Sequence, residues 1–359
     1  AKDNGLLDTP GWIRFKKLAL RQKKLLRMAN QTKLQSFRSA PVYMFEYLVP
    51  RNHAQAMEYD RSNGNTKWCD SELVELAQIK EYEAFNDTGH KSVAKLPSGF
   101  KLIKVHMVYA VKNDGRHKSR LVAGGHLTDT PLTSVYSSVV SLRGIRLIAF
   151  LGELNGQKVW ATDIGNAYLK ARTEEKVAII AGPEFGDLED HLLIIIKALY
   201  GLKSSGLRWH EKCSSILRDM GFFPSKAEPD IWMRKMNRIY EYIGSYVDNL
   251  EIASNDPKSI LSVFTDKFKL KLKGSGPITY HLGCDYWRDK HDVLCMSPKK
   301  YIEKMIDTYV RLFGIQPKQY NSPLEKGDHP ELDTSEELDL EGLKKYQSLI
   351  GAMQWAVTI

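Results

Sequence analysis

Two aspartates stand where carboxylates are expensive. Asp163 closes the apolar run Lys158-Val159-Trp160-Ala161-Thr162, and Asp248 follows Tyr246-Val247 at the tip of an expected hairpin over 239–252. An ionised carboxylate at the end of an apolar strand costs free energy to bury unless something pairs with it. Two brought together repel, and a divalent cation removes that repulsion. Oxygen ligands of this kind suit Mg2+, with Mn2+ as a substitute; Mg2+ keeps water and phosphate oxygens in its remaining positions. Two such ions can activate a hydroxyl and stabilise a leaving pyrophosphate. The plain alternative is that each aspartate caps a turn, and either one taken alone favours that alternative.

Other residues carry weaker signals. Lys118 and Arg120 alternate on an expected strand, so both point to one face. There they could hold a triphosphate, or form a solvated strand face. Lys203, Ser204, Ser205 and Gly206 form a turn before an expected helix, where backbone N–H groups and Lys203 could meet template or nucleotide phosphates. A simple helix cap accounts for them equally well. The pairs His210/Cys213 and His281/Cys284 have zinc-ligand spacing, but one lies on an expected helix and the other on an expected strand, and nothing requires them to meet. The four cysteines lie far apart, which excludes a disulfide scaffold and suits a reducing compartment. No phosphate-binding glycine loop, nucleophile elbow or dinucleotide fingerprint is present. The seven tryptophans read as core anchors.

The elements that position these residues follow from the patterning. The 359 residues are 43% hydrophobic and 26% charged, an ordinary composition for two or three domains. No run of about 18 apolar residues could cross a membrane as a helix. The first residue is Ala and no signal peptide follows, so a processed or trimmed piece of something longer is expected. Residues 11–40 carry nine basic side chains, among them Lys16, Lys17, Arg21, Lys23 and Lys24, and no acid; they account for the whole formal charge of +9. Such a segment attracts phosphate backbones, or is a solvated helix face. An amphipathic helix is expected over 12–29, an irregular stretch over 30–66, a helix capped by Asp70, and a domain boundary near 95. Strands are expected over 101–112 and 118–123 around the Asp114-Gly115 turn, over 158–164 and 192–196, and over 230–236 and 239–247. A last hairpin is expected over 278–296. Helices are expected over 138–155, 205–220, from Asp256-Pro257 onward, over 298–313 and over 342–357. The stretch 328–341, with seven acids and no Lys or Arg, reads as an exposed linker.

The stretches WATDIGNAYLKA (160–171), KALYGLKSSGLRWHE (197–211) and YVDNLEIAS (246–254), in that order, resemble the reverse transcriptase of copia-type retrotransposons. KSRLVAGG (118–125), HLGCDYWRD (281–289) and YQSLIGAMQW (346–355) resemble that family's fingers motif, its entry to the thumb and the approach to its RNase H region. The resemblance covers roughly residues 68–359. It implies an α+β right-hand polymerase fold: a basic N-terminal extension and linker over 1–95, fingers and palm over 96–290, and thumb and the start of a connection region over 291–359. It implies RNA- and DNA-directed DNA polymerisation with two Mg2+ ions, a template–primer and dNTP as partners, no membrane, and a place in a cytoplasmic virus-like particle or the nucleus. The metal ligands would be Asp163, Asp248 and the backbone carbonyl of Ile164. The dNTP would meet Lys118, Arg120, Ile164, Lys203 and Tyr168, the last as a wall against a ribose 2′-hydroxyl. Template or primer would meet Lys203, Ser205, Tyr246 and the basic N-terminal segment. The sequence departs from the family's Tyr-x-Asp-Asp at one position, where Asn249 replaces the second aspartate. The amide keeps the shape and loses the charge, which implies an impaired enzyme. The alternatives are a non-catalytic nucleic-acid-binding protein and a decayed copy.

Deleting residues 1–40 is expected to weaken binding to a primer–template and to flatten its salt dependence, by roughly 0.7–0.9 in slope for each lost phosphate contact. Titrations at several salt concentrations check this, and an unchanged slope would mark the segment as a solvated face.

Overall fold

The computed structural model describes residues 42–44, 47–112, 114–128, 135–321 and 336–358. The basic segment, with Lys16, Lys17, Arg21, Lys23 and Lys24 and its expected helix, lies outside the described residues, as does most of the acidic stretch.

The first part of the described chain runs through a hairpin of β1 (Val42–Met44) and β2 (Tyr47–Val49), then α1 (His53–Asn63) and α2 (Lys67–Glu81). Next come β3 (Phe85–His90), β4 (Lys101–Leu102) and a long hairpin of β5 (Val105–Val111) and β6 (His117–Ala123). Residues 30–66 were expected to be irregular, yet α1 forms there. Its sequence is too polar to show a clear apolar stripe, but Asn52 caps it by accepting from Gln55 N–H, and Gly64 ends it in a left-handed conformation. Asp70 does not start α2, which begins three residues earlier. The N–H groups of Trp68 and Cys69 donate to the Asp60 carboxylate, a cap supplied by the preceding helix rather than by the adjoining sequence. The expected boundary near residue 95 does not divide this part. Trp68, Ile79 and Ala84 share one core with Leu121, Ile179 and Leu193.

The chain continues through α3 (Leu142–Leu154), β7 (Lys158–Ile164), β8 (Val177–Ile180), β9 (His191–Ile195) and α4 (Ser205–Asp219). Then follow β10 (Phe223–Pro224), β11 (Ile231–Met236), β12 (Ile239–Tyr246), β13 (Asn249–Ser254), α5 (Pro257–Asp266) and β14 (Leu272–Pro277). β3, β9, β8 and β4 make a four-stranded sheet. The central sheet has the order β10-β11-β12-β13-β7-β14 and is antiparallel throughout. One face buries Ile243, Leu250 and Ile252 against Trp209 and Leu217 of α4 and Ile260 and Phe264 of α5. The other buries Ala253 and Ile231 against Ile145 and Ile148 of α3. Gly244 permits that approach, since a Cβ there would lie 2.7 Å from Ile148.

β15 (Tyr280–His281), β16 (Cys284–Arg288) and β17 (Leu294–Ser297) form a small sheet, followed by α6 (Lys299–Phe313) and α7 (Leu340–Thr358). The result is a mixed α/β architecture with antiparallel sheets. Trp68, Trp209 and Trp232 anchor cores as expected, but Trp287 and Trp355 are exposed.

Glu251, on the α3 face of β13, is 0% exposed, and neither carboxylate oxygen has a hydrogen-bond partner among the described residues. Burial pushes its pKa well above the ordinary 4.5. A raised acid favours folding below its unfolded pKa and loses that contribution as pH rises through the folded value. Glu251→Gln is therefore expected to raise stability at pH 8 and to flatten its decline above about pH 4.5. Denaturant unfolding across that range checks it.

Candidate active site

The site is built on one transverse row of the central sheet. Asn249 on β13 is directly opposite Asp163 on β7, and Lys273 on β14 is opposite Asp163 on its other side. Tyr246 on β12 faces Asn249. Directly opposed residues project from the same face, so these four side chains form a line. Lys273 is a site residue the motif reading missed. Its signal is the alternation Lys269-Leu270-Lys271-Leu272-Lys273, the pattern of a strand with one basic face.

Asp248 enters from a two-residue turn between β12 and β13. Val247 at its start has φ 56°, a left-handed conformation that a β-branched residue resists. Two hydrogen bonds hold the turn. The Trp209 indole N–H donates to Val247 O at 2.7 Å, and Ile164 N–H donates to Asp248 O at 2.7 Å. The second bond joins the backbone of Asp248 to the residue after Asp163, so the two aspartates are neighbours despite their separation in sequence. Burial raises the pKa of Asp163, the charge of Asp248 raises it further, and Lys273, Lys118 and Lys112 oppose the rise. Asn249 Nδ2 donates to Asp248 Oδ1 at 3.1 Å. The amide thus turns its positive edge to the carboxylate beside it, where a second aspartate would have repelled it.

A cavity of about 590 Å3 opens beside this row, with Lys118, Arg120, Asn166, Tyr200 and Lys273 in its wall. Arg120 lies over the Tyr200 ring at 5.0 Å, and Tyr200 meets Tyr168 at 5.0 Å between centroids. Burial and then the charge of Asp248 push the Tyr168 hydroxyl up, so this aromatic chain links the basic wall to the aspartates. Tyr200 is held because its carbonyl accepts from Ala123 N–H on β6, and Gly201, at φ 91°, lies too close to that strand to carry a Cβ. Asn166, also left-handed, donates to Gln78 Oε1 on α2 at 3.0 Å.

Among the other sequence candidates, Ile164 directly follows Asp163 and Tyr246 belongs to the row, while Lys203 and Ser205 lie away from it. Ile164 is fully buried, with its N–H committed to Asp248. Lys203 Nζ donates to Thr128 O at 2.6 Å and is not in the cavity wall. Ser205 is 2% exposed and its hydroxyl donates to Leu199 O, so it is not presented to a template. Tyr246 packs partly against the α3 core. His210 meets Asp230, the residue just before β11, and His281 is buried, which keeps it neutral. Among the described residues no cluster of three or more His, Cys, Asp or Glu could hold a metal ion. What fits a hard divalent cation is the pair Asp163 and Asp248, an all-oxygen donor set whose mutual repulsion such an ion would relieve.

A family model described as reverse transcriptase (RNA-dependent DNA polymerase) matches residues 89–319. The chain belongs to this reverse transcriptase family. It is 26% identical over 245 residues to the Retrovirus-related Pol polyprotein from transposon TNT 1-94 of Nicotiana tabacum, covering 65% of this chain and 18% of that protein. It is 25% identical over 319 residues to the corresponding polyprotein from transposon RE2 of Arabidopsis thaliana, covering 85% and 20%. It is 27% identical over 316 residues to the Transposon Ty1-DR1 Gag-Pol polyprotein of Saccharomyces cerevisiae, covering 79% and 18%. These relatives support the copia-type resemblance carried by the motifs, and the chain spans at most about a fifth of each of these three polyproteins. The family implies a divalent-metal dependence in general.

Trp209→Phe removes the donor that holds Val247 and leaves its part-buried carbonyl without that bond. A loss of roughly 1–3 kcal/mol is expected from the hydrogen bond alone, with lost packing added to it. Urea unfolding of this variant and of Trp160→Phe, a substitution away from the turn, separates the two contributions.

Proposed function

We propose that the chain is the polymerase core of a copia-type element, extending a primer on an RNA or DNA template with dNTPs. In this reading the central sheet with α3, α4 and α5 is the palm, the β5–β6 hairpin and α2 belong to the fingers, and α6 and α7 to the thumb. The observation that carries it is the row Asn249–Asp163–Lys273 with Asp248 beside it, whose Lys273 lines a cavity together with Lys118 and Arg120.

Asp163 and Asp248 would hold divalent cations, Mg2+ in this reading, which lower the pKa of a primer 3′-hydroxyl and offset phosphate charge when bound. The chain's own residues do the rest. Arg120, fixed against Tyr200, and Lys118 would orient the triphosphate by charge-assisted hydrogen bonds. Tyr168, packed against Tyr200, would present its ring where a ribose 2′-hydroxyl would fall. Lys273 would balance charge at Asp163. Asn249 contributes no charge and donates to Asp248, so metal affinity is lower than a third carboxylate would give.

Primer extension by the chain and by Asn249→Asp, with Mg2+ and with Mn2+, tests the reading. The unaltered chain is expected to extend poorly with Mg2+ and better with Mn2+. Asn249→Asp is expected to raise the rate by a factor on the order of 10–1000, since one lost charged metal contact is worth several kcal/mol. Equal rates for both would refute the role of Asn249. Extension by neither would favour the non-catalytic binding protein, whose own support is the Asn249–Asp248 hydrogen bond, or the decayed copy.

A further inference from the structure

A second recess, of about 470 Å3, adjoins the basic cavity, and Lys67 and His117 line both spaces. Its wall is unlike the first. Tyr43 and Tyr47 on the β1–β2 hairpin are 64% and 37% exposed, and Asn63 and Asn65 add amides from the turn after α1. Lys67 Nζ sits over the Tyr47 ring, 5.1 Å from its centroid. His117 meets Tyr47 edge-on at 4.9 Å and the buried Trp68 at 4.2 Å, and burial lowers its pKa, so the ring is neutral at pH 7. Tyr43 presents its ring largely to solvent, where a flat stacking partner would bury apolar surface.

We propose that this recess takes an unpaired base of a single-stranded nucleic acid, the template strand just beyond the base being copied. The inference rests on the polymerase reading for the strand's direction, but not for the binding itself. Three features select this occupant. The recess adjoins the basic cavity, with Lys67 and His117 in both walls, so a strand leaving the cavity has the recess next to it. The aromatic faces and amides suit a base, which stacks and hydrogen-bonds at its edge. Charge also differs between the two spaces: Lys67 is shared by both walls and Arg116 lines the basic cavity, where phosphates would lie, while Glu58 in the wall of the recess disfavours a phosphate inside. Arg116 is shared with Asp114, which leaves Lys67 as the main phosphate contact.

The test uses the full chain and duplexes that are blunt or carry a 5′ template overhang of DNA or of RNA. 2-Aminopurine is placed at successive overhang positions. Quenching is expected at one position near the duplex end, together with tighter binding of overhang than blunt duplex for either sugar. Tyr47→Ala is expected to weaken overhang binding about tenfold, the cost of one lost base–aromatic stack, and to leave blunt-duplex affinity within about twofold. Tyr43→Ala, a mostly exposed side chain whose loss disturbs little packing, is expected to act in the same direction. Equal affinity for blunt and overhanging duplexes, or no effect of either substitution, overturns the inference. Loss of blunt and overhang binding together would overturn it too. If no duplex binds but a single strand is quenched by the chain and not by the variants, the recess stands and the polymerase reading falls.

Discussion

The turn at Val247–Asp248 is the constraint on which the site depends. A valine at φ 56° does not stay there unaided. Trp209, buried in the core between α4 and the sheet, fixes Val247 through its indole N–H, and Ile164 fixes Asp248 through the backbone. The first bond ties the turn to the core and the second ties it to the strand that carries Asp163. Packing that builds the sheet therefore also sets the spacing of the carboxylates. Once that spacing is set, β14 adds Lys273 to the same row and Gly201 lets the Tyr200 loop lie on β6, which brings the basic wall alongside.

Charge at this row is balanced in an unusual way. Burial and like charge both raise the Asp163 pKa, and three lysines lower it. Asn249 removes one charge and donates a hydrogen bond to Asp248. The pair is thus less repulsive without a cation than three carboxylates would be, and gains less from binding one. In the proposed reading, a divalent cation would therefore be held more weakly than by three carboxylates. This trade follows from electrostatics and does not depend on whether the chain extends a primer.

Much of this was legible in the sequence because it was local. Asp163 and Asp248 stand out as acids at the ends of apolar runs, and the helices and strands from residue 138 onward follow their periodicity closely. What was missed depends on strand order or on contacts between distant segments. Lys273 matters only because β14 lies beside β7, and Tyr200 only because its loop lies on β6. α1 was missed for want of an apolar stripe, and the start of α2 was misplaced because its cap comes from Asp60. The boundary near 95 failed because a Pro-Ser-Gly turn need not separate cores: Ile79 and Leu121 pack together across it. Ser205 looked like a phosphate contact from its place before a helix, yet its hydroxyl turns inward to Leu199.

The central claim is that Asp163 and Asp248 form one cation site that Asn249 weakens. Mn2+ binding followed by electron paramagnetic resonance tests it most directly. The account predicts weak binding by the unaltered chain, loss of that binding in Asp163→Asn and in Asp248→Asn, and binding at least about tenfold tighter in Asn249→Asp, as an added carboxylate ligand should give. Binding unchanged by all three substitutions would contradict it.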